Sequence, residues 1–359
     1  MAGERMSHRT CALVLALLAF APAPAAPQVP VPAGAPAVHD VRPGPGVTDT
    51  KMLSAYAAGL ANTPGDTMVY VLEGPEAGAT VFVAGGTHGN EIAGIMAAIV
   101  LVEHARVQKG RLIVVPHANN SAITDVDPER PGPPAIVLTT PSGERRFLYG
   151  SRRTKAVHQG SPDPPSYRHP NPKADETLPG AEARNLNRAY PGAADGTLTQ
   201  RIAHGIMRLL AVEHVAAAFD FHEAGPESRL AWMVVANPKN LETAAAALFD
   251  LEALGLTMKL ERSSETFRGL SHREWGDATA AQAYLFETPS PSMVSDTKGV
   301  DFVNDAKLPL SKRVGGQLAS FAAVLGAYNA GAPTASRIIL AGVPVMTDVE
   351  KAGVGAFLR

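Results

Sequence analysis

The stretch from Thr80 to Pro116 constrains the fold more than any other part of this chain. Thr80-Val-Phe-Val-Ala84 is a β-branched and aromatic run that closes on Gly85-Gly86, the pattern of a short buried strand. Ile92, Ile95, Met96, Ile99 and Val100 then recur at i, i+3, i+4, i+7 and i+8, which places them on one face of a helix reaching about Val107. Arg111-Leu-Ile-Val-Val-Pro116 is a second apolar strand. Strand, helix and strand in so short a span imply a right-handed crossover and a parallel pair inside an open α/β sheet. A chain of 359 residues that is 45% apolar can bury a full core around such a sheet, as one large domain or two small ones. No internal repeat is present.

The flanking segments read differently. Arg5, His8 and Arg9 precede an apolar run from Cys11 to Ala21 and then Ala-Pro-Ala-Ala ending at Ala26, the three regions of a secretory signal. The run is too short to span a bilayer, which needs roughly 18 apolar residues. The expectation is therefore a signal over 1–26 and an exported, periplasmic or secreted, mature chain without a stable membrane anchor. The sole cysteine, Cys11, would leave with the signal, which excludes disulfides and cysteine-built metal sites from the mature protein. Residues 27–50 are rich in Pro, Ala and Gly and read as a flexible lead-in. A main domain is expected over 51–331, and a tail over 332–359 holds one strand-like run, Arg337 to Leu340, that reads as a small β appendage. A formal charge of -2, from 32 basic and 34 acidic residues, gives no general pull toward nucleic acid or anionic membrane.

Within the main domain, Met68 to Leu72, Leu230 to Ala236 and Ala283 to Glu287 read as strands. Helices are expected from Leu198, near Leu241 to Leu254, and over Lys307 to Asn329. Val215 to Phe221 reads as a buried strand ending at His222. The proline-rich stretch from Pro116 to Gly196 is too long for an ordinary connection and is a candidate pocket wall.

Chemistry concentrates where strands end. Gly85-Gly-Thr-His88-Gly-Asn-Glu91 joins a buried strand to a helix, the place where open α/β sheets put ligands. With glycines around the turn, His88 and Glu91 can converge on one ion, although a Glu91 that merely complements the positive end of the helix has the same spacing. His222, at the end of another buried strand, is the best third donor, because parallel strands end along one edge of the sheet. Two histidines and a glutamate with one position open are the ligand set of a catalytic zinc. Glu287, closing the run Ala283-Tyr-Leu-Phe-Glu287, is either an edge-solvated carboxylate or a positioned base. Arg184-Asn185-Leu-Asn187-Arg188 before Tyr-Pro-Gly192 is a candidate clamp for a carboxylate, since guanidinium groups bind carboxylates bidentately.

These four segments, in this order, resemble the succinylglutamate desuccinylase/aspartoacylase family, which is itself similar to zinc carboxypeptidases. The specific matches are Gly-Gly-Thr-His88-Gly-Asn-Glu91, Asn185-Leu-Asn187-Arg188-Ala-Tyr-Pro-Gly, Asp220-Phe-His222 and Phe286-Glu287. The resemblance implies an open, mostly parallel mixed sheet with helices on both faces. It implies one Zn2+ per chain held by His88, Glu91 and His222, Glu287 as base, and Asn187 and Arg188 on the substrate carboxylate. The family commonly carries an aspartate at the position of Asn185, there to orient the first zinc histidine. For the arginine that polarises the scissile carbonyl, Arg184 and Arg152 are both candidates, with Arg184 favoured by its place beside the motif. The activity implied is hydrolysis of an N-acyl amino acid. The alternatives are an exported carboxypeptidase-like enzyme acting on peptides or cell-wall stems, and a solute-binding protein without catalysis.

Overall fold

The structure, a computed structural model, describes residues 39–126, 132–294 and 296–359. The signal expected over 1–26 lies outside the described residues, as does the lead-in up to residue 38.

Strands β1 (Asp49–Met52) and β2 (Met68–Glu73) pair antiparallel and precede β3 (Glu76–Ala84), which contains the expected buried run. Helix α1 (Ile92–His104) and β4 (Arg106–Val115) complete the crossover, and β3 pairs parallel with β4 as the pattern requires. After the single turn α2 (Asn120–Ile123) come a hairpin, β5 (Ala135–Thr140) and β6 (Gly143–Leu148), and a two-residue pair, β7 (Ser166–Tyr167) with β8 (Leu178–Pro179). Helix α3 (Leu198–Val212) starts at a capping box: the Thr197 hydroxyl accepts from the Gln200 N–H and the Gln200 side chain accepts from the Thr197 N–H. The chain continues through β9 (Val215–Ala224), β10 (Met233–Ala236), α4 (Leu241–Ala253), β11 (Lys259–Arg262), α5 (Ser271–Ala278), β12 (Gln282–Pro289), α6 (Leu310–Gly331), β13 (Ile339–Ala341) and α7 (Met346–Ala352).

One nine-stranded mixed sheet runs β1-β2-β4-β3-β9-β12-β10-β11, with β13 added antiparallel on β4. Its centre, β4-β3-β9-β12, is all parallel, and every antiparallel pair of the sheet includes a strand flanking those four. Side-chain alternation splits the core. Phe219 and Phe221 of β9 and Tyr284 and Phe286 of β12 face α1, α4 and α6. On the opposite face Ala218 and Ala283 pack with α3 and with Trp275 of α5. Helices thus cover both faces, which is why the central strands carry near-continuous apolar runs.

Three expectations meet a more closely packed molecule. The amphipathic face expected of α1 is instead a helix buried almost all round, because the β5–β6 hairpin and the C-terminal segment cover its outer side. Ile136, Leu138, Phe147, Val354 and Leu358 join the same core cluster. The strand expected after Gly331 is present as β13, and it extends the main sheet. The flexible lead-in does not extend to residue 50: within residues 39–50, His39 stacks on His117 and Asp40 pairs with Arg145, and β1 begins at Asp49. These residues are held by specific partners that composition does not reveal. No helix among the described residues is long and apolar enough to cross a membrane.

Candidate metal centre

The parallel strands β3, β9 and β12 finish on one rim of the sheet, and the chemistry-bearing residues follow from that. After β3 the chain turns through Gly86, whose φ of +67° lies in the left-handed region that glycine tolerates. It then presents His88 before α1 begins. Gly94 lets α1 lie against β9: a Cβ there would run into the Phe221 carbonyl. That close approach brings Glu91, at the start of α1, onto the end of β9. In the β9–β12 register His222 stands directly beside Glu287.

His88, Glu91 and His222 are all buried and offer ligand atoms within 4.8 Å of one another. His88 Nδ1 lies 2.6 Å from Glu91 Oε1, and His222 Nδ1 lies 2.8 Å from Glu91 Oε2, so both imidazoles turn the same nitrogen toward one carboxylate. The far nitrogens are held too. His88 Nε2 lies 2.9 Å from Asn185 Oδ1. His222 Nε2 lies 2.9 Å from Asp220 Oδ2, an ion-pair contact set off the line of a hydrogen bond. The other Asp220 oxygen accepts from the Thr87 hydroxyl at 2.8 Å. Backed imidazoles with their opposite nitrogens converging beside a carboxylate form a donor set that fits a divalent metal.

The charges agree with that fit. Burial lowers the His88 pKa against the pull of Glu91. Burial works the same way on His222, but there the Asp220 and Glu91 charges prevail and raise it well above the usual imidazole range. Glu91 is held low by the two imidazoles despite its burial. Glu287 is set apart: burial, ahead of every neighbouring charge, pushes its carboxyl up to about 8. Its Oε2 has no hydrogen-bond partner among the described residues.

These residues open into a cavity of about 710 Å³. Arg152, Asn187 and Arg188 line it together with the donors and Glu287. Asn187 Oδ1 accepts from the Ser271 N–H at 2.8 Å, which leaves its amide NH2 as a donor. Arg188 donates to the Asn187 carbonyl at 2.7 Å, yet its buried Nε has no partner among the described residues. Burial, and then the nearby charge of Arg152, lower its pKa.

Arg184, favoured from sequence, is not brought to the cavity. Its guanidinium is engaged by Asp163, at 2.7 and 3.1 Å, and by the Thr154 carbonyl at 2.6 Å, and it does not line the cavity. Arg152 is the arginine beside the donors. The expected pocket wall between Pro116 and Gly196 is only partly one: Tyr167, His169, Glu176 and Leu178 line the cavity with Arg152, Asn187 and Arg188, whereas the β5–β6 hairpin seals α1. Sequence reasoning quoted Asp220 within the His222 motif but gave it no role, and it passed over His272. Asp220 was legible, since i and i+2 on a strand share a face and it lies two before His222. His272, which lines the cavity with Nδ1 2.9 Å from Ser263 Oγ, had no such signal, because α5 was not anticipated.

The fold, an open mixed sheet with a parallel centre and helices on both faces, is similar to that of carboxypeptidase-like solved structures. A metallo-carboxypeptidase from Burkholderia cenocepacia has a similar structure, with a TM-score of 0.50 at 13% identity over 80% of this chain and 66% of that one. A succinylglutamate desuccinylase from a Silicibacter species aligns at 19% identity and a TM-score of 0.42 over 72% of this chain. A tripeptide-bound cell shape determinant protein from Helicobacter pylori aligns at 13% identity and a TM-score of 0.45 over 79% of this chain. The chain spans about 60% of the length of the desuccinylase and 59% of the cell shape protein. No protein-family model and no curated protein matches the sequence.

Proposed function

We propose that this protein is a zinc-dependent hydrolase that cleaves an amide bond in a substrate bearing a carboxylate, with His88, Glu91 and His222 as ligands. The observation that carries this reading is Glu287: a buried carboxylate with an unpartnered oxygen, in register beside His222, and not part of the donor cluster. A solute-binding protein has no use for such a group, whereas a hydrolase needs one base that is not a ligand. When bound, zinc would acidify a water molecule and polarise the scissile carbonyl.

The chain's own residues supply the rest. With the positive charge of a bound metal favouring its ionised form, Glu287 would take a proton as the water oxygen attacks the carbonyl carbon, and give that proton to the nitrogen as the C–N bond breaks. Arg152 faces the charge that develops on the carbonyl oxygen, in place before the reaction begins. Asn187 and Arg188 hold the substrate carboxylate, which would supply the partner that Arg188 lacks.

An N-acyl amino acid is the first reading of the substrate. A short peptide is the second, and the cavity favours keeping it: 710 Å³ lies in the upper part of the range of about 300–1,000 Å³ typical of ligand sites. The sequence pattern over 1–26 supports action outside the cytoplasm, where peptides and cell-wall stems are available.

The test is to offer zinc-loaded protein both substrate sets and to follow release of free amine. Wild type is expected to release amine from at least one set, and Glu287→Gln to retain zinc while losing on the order of 10²–10⁴ in turnover. Absence of release from either set, or an unchanged rate in Glu287→Gln, would count against the hydrolase.

A further inference from the structure

His88 is backed by an amide, not by a carboxylate, and the structure displaces the negative charge by one residue contact. Asn185 Oδ1 faces His88 Nε2 at 2.9 Å, while Asn185 Nδ2 donates to Glu182 Oε2 at 2.6 Å. The two residues meet because Gly180–Arg184 is a 3₁₀ turn, in which side chains three apart eclipse. Within that turn the Asn185 N–H also bonds the Glu182 carbonyl at 3.1 Å.

The chemistry of these groups leaves one arrangement. A carboxylate only accepts, so Asn185 must turn its NH2 toward Glu182. From the other side the Asn187 N–H donates to Asn185 Oδ1 at 2.9 Å, which fixes the same orientation. Oδ1 can then only accept from His88, so the proton of the neutral ring sits on Nε2 and the lone pair of Nδ1 points at Glu91. Glu182 also faces two cations, with Arg152 Nε at 3.7 Å and Arg153 Nη1 at 3.8 Å. Its side chain is 13% exposed, which keeps these charges poorly screened. Arg152 lines the cavity, so Glu182 touches both the support of a metal donor and an arginine of the pocket.

We propose that Glu182 is the positioning residue of this centre: through the Asn185 amide it fixes His88 as an Nδ1 donor, and it offsets the charge of Arg152 beside the ion. This inference rests on the metal reading of His88, Glu91 and His222. The carboxylate sits one residue further out than in a direct carboxylate–histidine pair, and its effect should be read in metal affinity before it is read in rate.

The experiment measures zinc affinity by competition with a chromogenic chelator for wild type, Glu182→Gln and the double variant Glu182→Gln/Asn185→Asp. Glu182→Gln keeps the size of the side chain and removes its charge; the expected result is binding weakened on the order of tenfold, the lower range for an outer-shell partner of a metal ligand. The double variant puts the charge directly on His88 and lets the introduced amide donate to it, so most of the lost affinity is expected to return. Melting of the metal-free proteins supplies the control for fold. Wild-type affinity in Glu182→Gln would overturn the proposal, and so would a double variant no tighter than the single one. A fall in metal-free melting temperature that accounts for the whole loss would overturn it too, by assigning Glu182 to structure alone. A wild type that binds no zinc would overturn the metal reading itself, which is a distinguishable failure.

Discussion

Helix α1 begins and ends in buried charge, and its two ends are built on opposite rules. At the C-terminal end Glu103 meets Arg145, both side chains fully buried. All five Arg145 N–H donors are matched: two to Glu103 at 2.8 Å, one each to the Asp40 carboxylate and carbonyl at 2.9 and 2.6 Å, and one to the Arg359 carbonyl at 2.9 Å. Glu103 in turn accepts from the Arg42 and Arg359 N–H groups at 3.0 and 2.6 Å. At the N-terminal end, around Glu91, Glu287 Oε2 and Arg188 Nε are buried without partners among the described residues. A buried polar group left unpaired costs about 1–3 kcal/mol, and more if charged. The contrast separates a fastening from a site. The first cluster is complete within the protein and joins the N-terminal arm, the hairpin and the C-terminal segment; the second leaves polar atoms open, as the proposed binding role requires.

The largest effect that tests this contrast falls on the complete cluster. Arg145→Ala leaves the buried Glu103 carboxylate without its guanidinium partner, and breaking a buried pair from one side costs about 3–5 kcal/mol. Denaturant unfolding should show that loss, with zinc content unchanged in the protein that remains folded. A loss below about 1 kcal/mol, the worth of an exposed pair, would mean that the cluster does not fasten the fold.

The smaller effect falls on the incomplete cluster and has the opposite sign. The folded chain keeps the Glu287 proton up to about 8, whereas an unperturbed carboxyl releases it near 4.5. Between those values the folded state binds more protons than the unfolded state, so the stability of the metal-free protein falls as pH rises. Glu287→Gln removes that penalty. Metal-free Glu287→Gln should melt like wild type near pH 4 and higher than wild type at pH 9, by on the order of a few degrees. Equal melting at both pH values would contradict the buried, unpartnered state of Glu287.

The legible parts of the molecule were those fixed by period and by strand ends. The β3–α1–β4 crossover, the strand through His222 and the strand through Glu287 all follow from apolar runs, and parallel strands must end on one rim. That brings His88 and His222 to one rim, and the close approach of α1 at Gly94 adds Glu91. What could not be read was set by contacts between segments remote in sequence. Arg184 and Arg152 are alike in composition, and only the loop path, with Asp163 engaging Arg184, decides which one reaches the cavity. Strand β11 and helix α5 are short, and α5 buries Arg273 and Glu274, so neither announces itself by an apolar stripe. The ordered arm around Asp40 depends on Arg145, more than a hundred positions away, and carries no local pattern.

The proposed function requires one metal ion held by three donors at the rim of the sheet, with nothing at the far end of α1 contributing to it. It is tested by zinc content per chain in purified, zinc-loaded wild type, His222→Ala and Glu103→Gln. The expected result is about one zinc in wild type and in whatever Glu103→Gln folds, and a loss to near zero in His222→Ala, as three protein donors require. Zinc retained in full by His222→Ala, or absent from wild type, would contradict it.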